Sequence, residues 1–239
     1  MSLGYLYARS CPINDHISIM VPTVGQIWDR EAEYYGLITS IIATPSDFMV
    51  QLDDIGIDFS TISPFELFLL LFNGLKGTDT SMVFGDLDLS KFKTAINEQN
   101  GKVVLVDTEN DVVIDRAIHD QIRRTIRKIN HLENMDKKPG NEEAKKYMIE
   151  RARMKQRRSA HRKHKSQLED LIIAMVNTEQ YKYGYEETRD LTIYQFKCLP
   201  DYQEDQLRQH DDRMLCWHDQ RERTEPGPTE LADIKIGGR

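Results

Sequence analysis

Apolar residues recur at helix or strand spacing as far as Tyr194-Gln195-Phe196 and then stop, so any packed body must come from the chain before Lys197. From Lys197 to Arg239, Gln, Asp, Arg and His crowd together, Cys216-Trp217-His218 stands without apolar support, and the end is Ile236-Gly237-Gly238-Arg239. A stretch of that kind reads as a disordered tail or as a tail translated out of frame.

Upstream of that break the pattern predicts an α+β fold that is mostly helical. Tyr5-Leu6-Tyr7 and Ile17-Ser18-Ile19-Met20 flank Pro12-Ile13-Asn14-Asp15 and read as an N-terminal β-hairpin. Thr23, with Gln26 three residues on, opens a helix whose stripe of Ile27, Tyr34, Leu37, Ile38, Ile41 and Ile42 runs to about Ala43. Pro45-Ser46-Asp47 and Ser63-Pro64 start two more helices, the second apolar on nearly every side from Leu67 to Phe72. A second hairpin near 103–114 pairs Val103–Val106 with Val112–Ile114, and the next helix aligns Ile118, Ile122, Ile126 and Ile129. Ser166, with Glu169 at the capping-box position, opens a helix striped by Leu168, Leu171, Ile172, Met175 and Val176, and Thr192 starts a last one.

Charge divides the chain as well. Met1 to Asn110 holds six Lys/Arg against fifteen Asp/Glu, a net of -9, while the rest holds twenty-six against twenty-four, a net of +2. The expected organisation is an acidic α+β domain over 1–133, a linker over 134–141 marked by Pro139-Gly140, a helical segment over 142–196, and the irregular region after about 197. An acidic front argues against a general nucleic-acid binder. Cys11, Cys198 and Cys216 are far apart and form no CxxC pair, which fits reduced thiols in a cytosolic protein. The longest apolar run, Phe65 to Phe72, is too short for a bilayer and contains Glu66, so no membrane span is expected.

Chemistry-bearing residues are sparse. Asp53-Asp54, Asp86 and Asp88 are paired carboxylates, and Asp86 and Asp88 alternate with Leu87 and Leu89 as the exposed acids of a core edge would. His161 and His164 sit among cations that repel a divalent ion, so no metal is expected there. Gly74-Leu75-Lys76-Gly77-Thr78 lacks the Gly-Lys-Ser/Thr order of a phosphate loop and reads as a helix cap at Gly74 and a turn at Gly77. With no nucleophile-elbow pattern either, the expectation is no enzyme, no catalytic residue and no cofactor. The densest charge, eight Lys/Arg between Arg151 and Lys165, has no interleaved aromatic on which bases could stack.

Four strings carry a resemblance: PTVGQIWDREAEYYGLI (Pro22 to Ile38), MVQLDDIGIDF (Met49 to Phe59), VFGDLDLSKF (Val83 to Phe92), and SQLEDLIIAMVNTEQYKY running on to LTIYQF (Ser166 to Phe196). Across roughly Ile13 to Phe196 the chain resembles a tail-region protein family of tailed phages and prophages of Gram-positive hosts. Members continue past the YQF with an amphipathic helix that this chain lacks, which is what points to out-of-frame decoding of 197–239. The β-hairpin, the PTVG string and the helical body are also similar to tail assembly chaperones, where programmed frameshifting is common.

The resemblance implies a phage morphogenesis protein acting by protein–protein binding. Its foremost form is a chaperone for the tape-measure protein, working in the host cytoplasm and open to self-association. A structural virion component of tail or neck is the alternative, and a nucleic-acid-binding regulator using 151–165 is a third. For a binding role, the expected partner surface is Ile27, Tyr34, Ile38, Leu168, Ile172 and Met175. Arg151, Arg153, Arg157, Arg158, Arg162, Lys163 and Lys165 would form a basic contact surface steering an acidic partner.

Overall fold

The computed structural model describes residues 3–98, 101–133, 136–159 and 166–198. Its first element corrects the sequence expectation: Leu3–Tyr7 is a short helix, α1, and not a strand. Three residues cannot distinguish the two periods, and tertiary contacts decide between them. Gln195 Nε2 donates to the Leu6 carbonyl at 2.9 Å, the Tyr5 ring lies 5.6 Å from that of Tyr194, and Lys128 Nζ stands 4.2 Å above Tyr5. The N-terminal hairpin survives with a different first arm, β1 (Ser10–Pro12) pairing antiparallel with β2 (Ser18–Met20). Asn14 Oδ1 shapes its turn by accepting from the amides of His16 and Ile17 at 3.0 and 2.7 Å.

Thr23 and Gln26 form the expected capping box, with bonds of 3.2 and 2.9 Å, but the helix they open is broken. α2 (Val24–Asp29) stops at Arg30, where φ is -141°, and α3 (Glu31–Ile42) restarts in a new direction. Arg30 is held at the break by Glu33 and by Asp79, the latter at 2.8 Å. The extended ψ of Ala43, followed by Thr44 and Pro45, ends α3. A 3₁₀ turn (Pro45–Phe48) leads into α4 (Met49–Asp54), and α5 (Pro64–Leu75) follows its Ser63–Glu66 capping box. α5 runs through Gly74, so the cap expected there falls later, at Lys76.

After α6 (Ser81–Phe84) the chain turns through Gly85 at φ +62°, where an added Cβ would lie 3.3 Å from Met20 Sδ. Both the dihedral and the contact oppose a side chain. Gly85→Ala is expected to lower unfolding free energy by about 1–2 kcal/mol, read by urea denaturation.

The second sheet has three strands in the order β3 (Lys93–Ile96), β4 (Val103–Asp107), β5 (Val112–Ile114), all antiparallel. The β4–β5 hairpin is the one the sequence predicts. β3 escapes pattern reading because it is an edge strand with no buried residue. Asp115 caps α7 (Arg116–Ile129), whose Ile122, Ile126 and Ile129 face the core. Then come α8 (Glu142–Ser159), α9 (Gln167–Val176) behind its Ser166 cap, and α10 (Tyr185–Asp190). Residues 193–198 are helical behind a Thr192–Gln195 box with bonds of 2.9 and 3.2 Å.

The two ends of this body are joined. Thr23 bridges Thr192, the Val24 amide donates to the Leu191 carbonyl at 2.8 Å, and the Ile193 amide donates to the Pro22 carbonyl at 2.9 Å. The core gathers Ile17, Ile27, Ile38, Phe72, Phe92, Leu105, Ile114 and, from the last turn, Phe196. A satellite cluster of Ala43, Leu52, Phe59 and Leu67 packs against Met148 and Ile149 of α8. The expected domain 1–133 and helical segment 142–196 therefore fall within one compact unit, Met1–Lys197. The reading of 197–239 as an out-of-frame or disordered tail lies, beyond residue 198, outside the described residues.

Candidate partner-binding surface

α8 is the one long helix whose described side chains include none that is fully buried, and the reason lies in its sequence. Its apolar residues are too few for a full inner stripe, so a narrow line of Ala144, Met148, Ile149 and Ala152 leans on α4 and the loop after it. Charge fixes the rest. Lys145 Nζ reaches Asp58 at 2.8 Å and Glu142 at 2.7 Å, and Arg153 reaches Asp53 at 2.7 Å and Asp54 at 2.6 Å. The Asp58 carboxyl is pulled down to about 2 by the Lys145 ammonium, with the Ser60 hydroxyl and amide adding to it.

The opposite face of α8 meets solvent. Tyr147, Arg151, Met154 and Arg158 follow one another at i, i+4, i+7 and i+11, so they stack into a single outward stripe. Tyr147 is 63% exposed and Met154 54% exposed, both high for residues of their size. Lys155 and Arg157 flank the stripe and are exposed too. The face thus alternates apolar anchors with cations.

The structure redistributes the residues expected from sequence. Ile27, Tyr34, Ile38, Leu168, Ile172 and Met175 are all buried in the core, so the partner surface placed on them is corrected: they offer nothing to a partner in this conformation. Periodicity marks which face is apolar and does not say what covers it; here α2 packs on α10 and α3, α3 on α5 and α7, and α9 on α10. Tyr34 even spends its hydroxyl internally, donating to Asn130 Oδ1 at 3.1 Å, and burial pushes its pKa well up. Of the basic set, Arg151, Arg157 and Arg158 are exposed, Arg153 is committed to Asp53 and Asp54, and Arg162, Lys163 and Lys165 lie outside the described residues. Tyr147 and Met154 were missed, although their seven-residue spacing within a charged run was the available signal.

The paired carboxylates have structural employment. Asp53 and Asp54 hold Arg153, and Asp88 caps a 3₁₀ turn by accepting from the Ser90 amide at 2.9 Å; the Ser90 hydroxyl first, and then that amide, draw its pKa down. Among the described residues no three His, Cys, Asp or Glu side chains gather where a metal ion would sit, and no helix is long and apolar enough to cross a membrane. His161 and His164 lie outside the described residues. No protein-family model, curated protein or solved structure matches the chain.

Proposed function

We propose that this protein is a non-catalytic assembly factor of a tailed phage, a chaperone that holds an acidic amphipathic helix of the tape-measure protein along α8. The observation that carries the reading is the outward stripe Tyr147–Arg151–Met154–Arg158, in which two large apolar side chains stand in water between cations. Exposed aromatic, Met and Arg side chains are the types that concentrate binding energy at interfaces. A helical partner lays its own i, i+3, i+4, i+7 anchors against such a face, and its acids meet Arg151 and Arg158. The phage assignment rests on the four strings that resemble tail-region proteins, and the tape-measure protein is the long helical client such chaperones cover.

Co-expression with the tape-measure protein encoded in the same genome tests this. The wild-type protein is expected to co-purify with it. Tyr147→Ser combined with Met154→Ser is expected to cut recovery by about tenfold or more with unchanged circular dichroism, since both side chains are exposed. Equal recovery by the variant would refute the α8 surface. Presence of the protein as a stoichiometric part of purified virions would replace the chaperone role with a structural one.

A further inference from the structure

A concavity lies along α7, the other long charged helix. It encloses about 420 Å³ and is lined by Asp120, Arg123, Arg124, Arg127, Lys128 and Leu132, four cations against one carboxylate. Its floor is unusual because the charge is buried. Arg123 is only 7% exposed, and burial in turn lowers the pKa of both Arg123 and Arg127.

Their present partners compensate this charge poorly. Arg127 Nη2 donates to the Ile42 carbonyl at 2.7 Å, and Arg123 Nη2 makes only long contacts to the Ile42 and Ala43 carbonyls, 3.4 and 3.5 Å. These dipoles at the C-terminus of α3 favour a cation but are not counter-ions. Among the described residues, the carboxylate within ion-pair reach is Asp120, which stands 3.4 Å from Arg123 Nη1 and is itself partly exposed. Asp47 and Asp136 act from further off, and Asp47 is occupied by the Thr44 amide and hydroxyl, each at 2.8 Å. The Nε atoms of both arginines are buried with no hydrogen-bond partner. Two like charges one helical turn apart, with Arg124 and Lys128 beside them at the rim, set four cations against the three carboxylates Asp120, Asp47 and Asp136, and leave an excess of positive charge.

We propose that this cavity binds a phosphate-class oxyanion, free or carried on a small molecule. The buried Arg123 and the half-buried Arg127 supply charge at its floor, and Arg124 and Lys128 stand at the rim. Guanidinium forks match the oxygens of a phosphoryl group, and partial burial keeps their field from being screened as it would be in water.

The test is calorimetric titration of the full chain with inorganic pyrophosphate and, separately, sodium acetate, at ionic strength fixed by NaCl. Saturable one-to-one pyrophosphate binding is expected, with a rise in melting temperature beyond that given by NaCl alone. Arg124→Gln with Lys128→Gln is expected to weaken it at least tenfold; the Arg124 side chain is exposed, whereas losing Lys128 also removes its contact above the Tyr5 ring and lowers the melting point of the unliganded protein by a few degrees. If the double variant unfolds, Arg124→Gln alone is expected to weaken binding at least threefold. Absence of saturable heat, equal affinity in the variants, or acetate binding as tightly as pyrophosphate would overturn the proposal.

Discussion

Replacing Phe196 with alanine is expected to cost about 3–5 kcal/mol of unfolding free energy, the range for removing a fully buried aromatic side chain from a packed core. Phe196 has no exposed surface, although it is the last residue of the apolar pattern. The turn that carries it is tied down from several directions. Its amide donates to the Thr192 carbonyl at 2.9 Å, Gln195 grips the Leu6 carbonyl, and the Tyr194 ring lies 5.0 Å from that of His131. Such a site cannot collapse to fill the space a phenyl ring leaves. Against a typical total of about 5–15 kcal/mol, the loss would bring the protein near its threshold. Urea unfolding monitored by circular dichroism gives the number, and a loss below about 1 kcal/mol would mean that the body closes without its last turn.

Acidification produces the second large effect, and it comes from one residue. His119 is fully buried, stacked 4.4 Å from the Phe68 ring, with Nε2 donating to the Ile41 carbonyl at 3.2 Å and Nδ1 unpartnered. Burial, and after it the Arg123 guanidinium, lowers its pKa to about 4. The unfolded chain takes up the proton near 6.5, so between about pH 6.5 and 4 the unfolded state binds more protons and stability falls as pH falls. Integrated over that window the loss is about 3 kcal/mol. Asp58 and Asp79, both held at about 2 in the folded state, add a further loss in the same direction, confined to pH below about 3.8. The two windows separate the contributions. His119→Gln keeps a donor for Ile41 and is expected to flatten the slope between pH 6.5 and 4 while leaving the lower one. An unchanged upper slope would assign the acid sensitivity to other groups.

His119 also marks a boundary on what the sequence discloses. The Thr23–Gln26 box, the Ser166 cap and the helix starts at Ser63 and Thr192 are legible because they are local chemistry, within three residues. The hairpin of β4 and β5 was legible for the same reason. The break at Arg30 was not, because it depends on Asp79, forty-nine residues away. Nor was α1, whose form is decided by Gln195 and Tyr194 at the far end of the body. No sequence pattern singles out His119, and only packing reveals it against Phe65 and Phe68. The candidate surface divides along the same line. The basic run of α8 was visible, but apolar spacing pointed to Ile27, Tyr34, Ile38, Leu168, Ile172 and Met175, whose stripes are absorbed by the core. Tyr147 and Met154 became distinct only once the inner face of α8 was seen to rest on α4.

A charge-swap cycle between α8 and its partner tests the docking account most directly. Arg151→Glu with Arg158→Glu is expected to weaken tape-measure binding by about 2 kcal/mol or more, roughly thirtyfold. Reversing the facing acids of the partner to lysine is expected to do the same, and combining the two sets is expected to restore most of the affinity, a coupling of at least about 1.5 kcal/mol. Losses that simply add, or a reversed α8 that binds as well as the original, would contradict it.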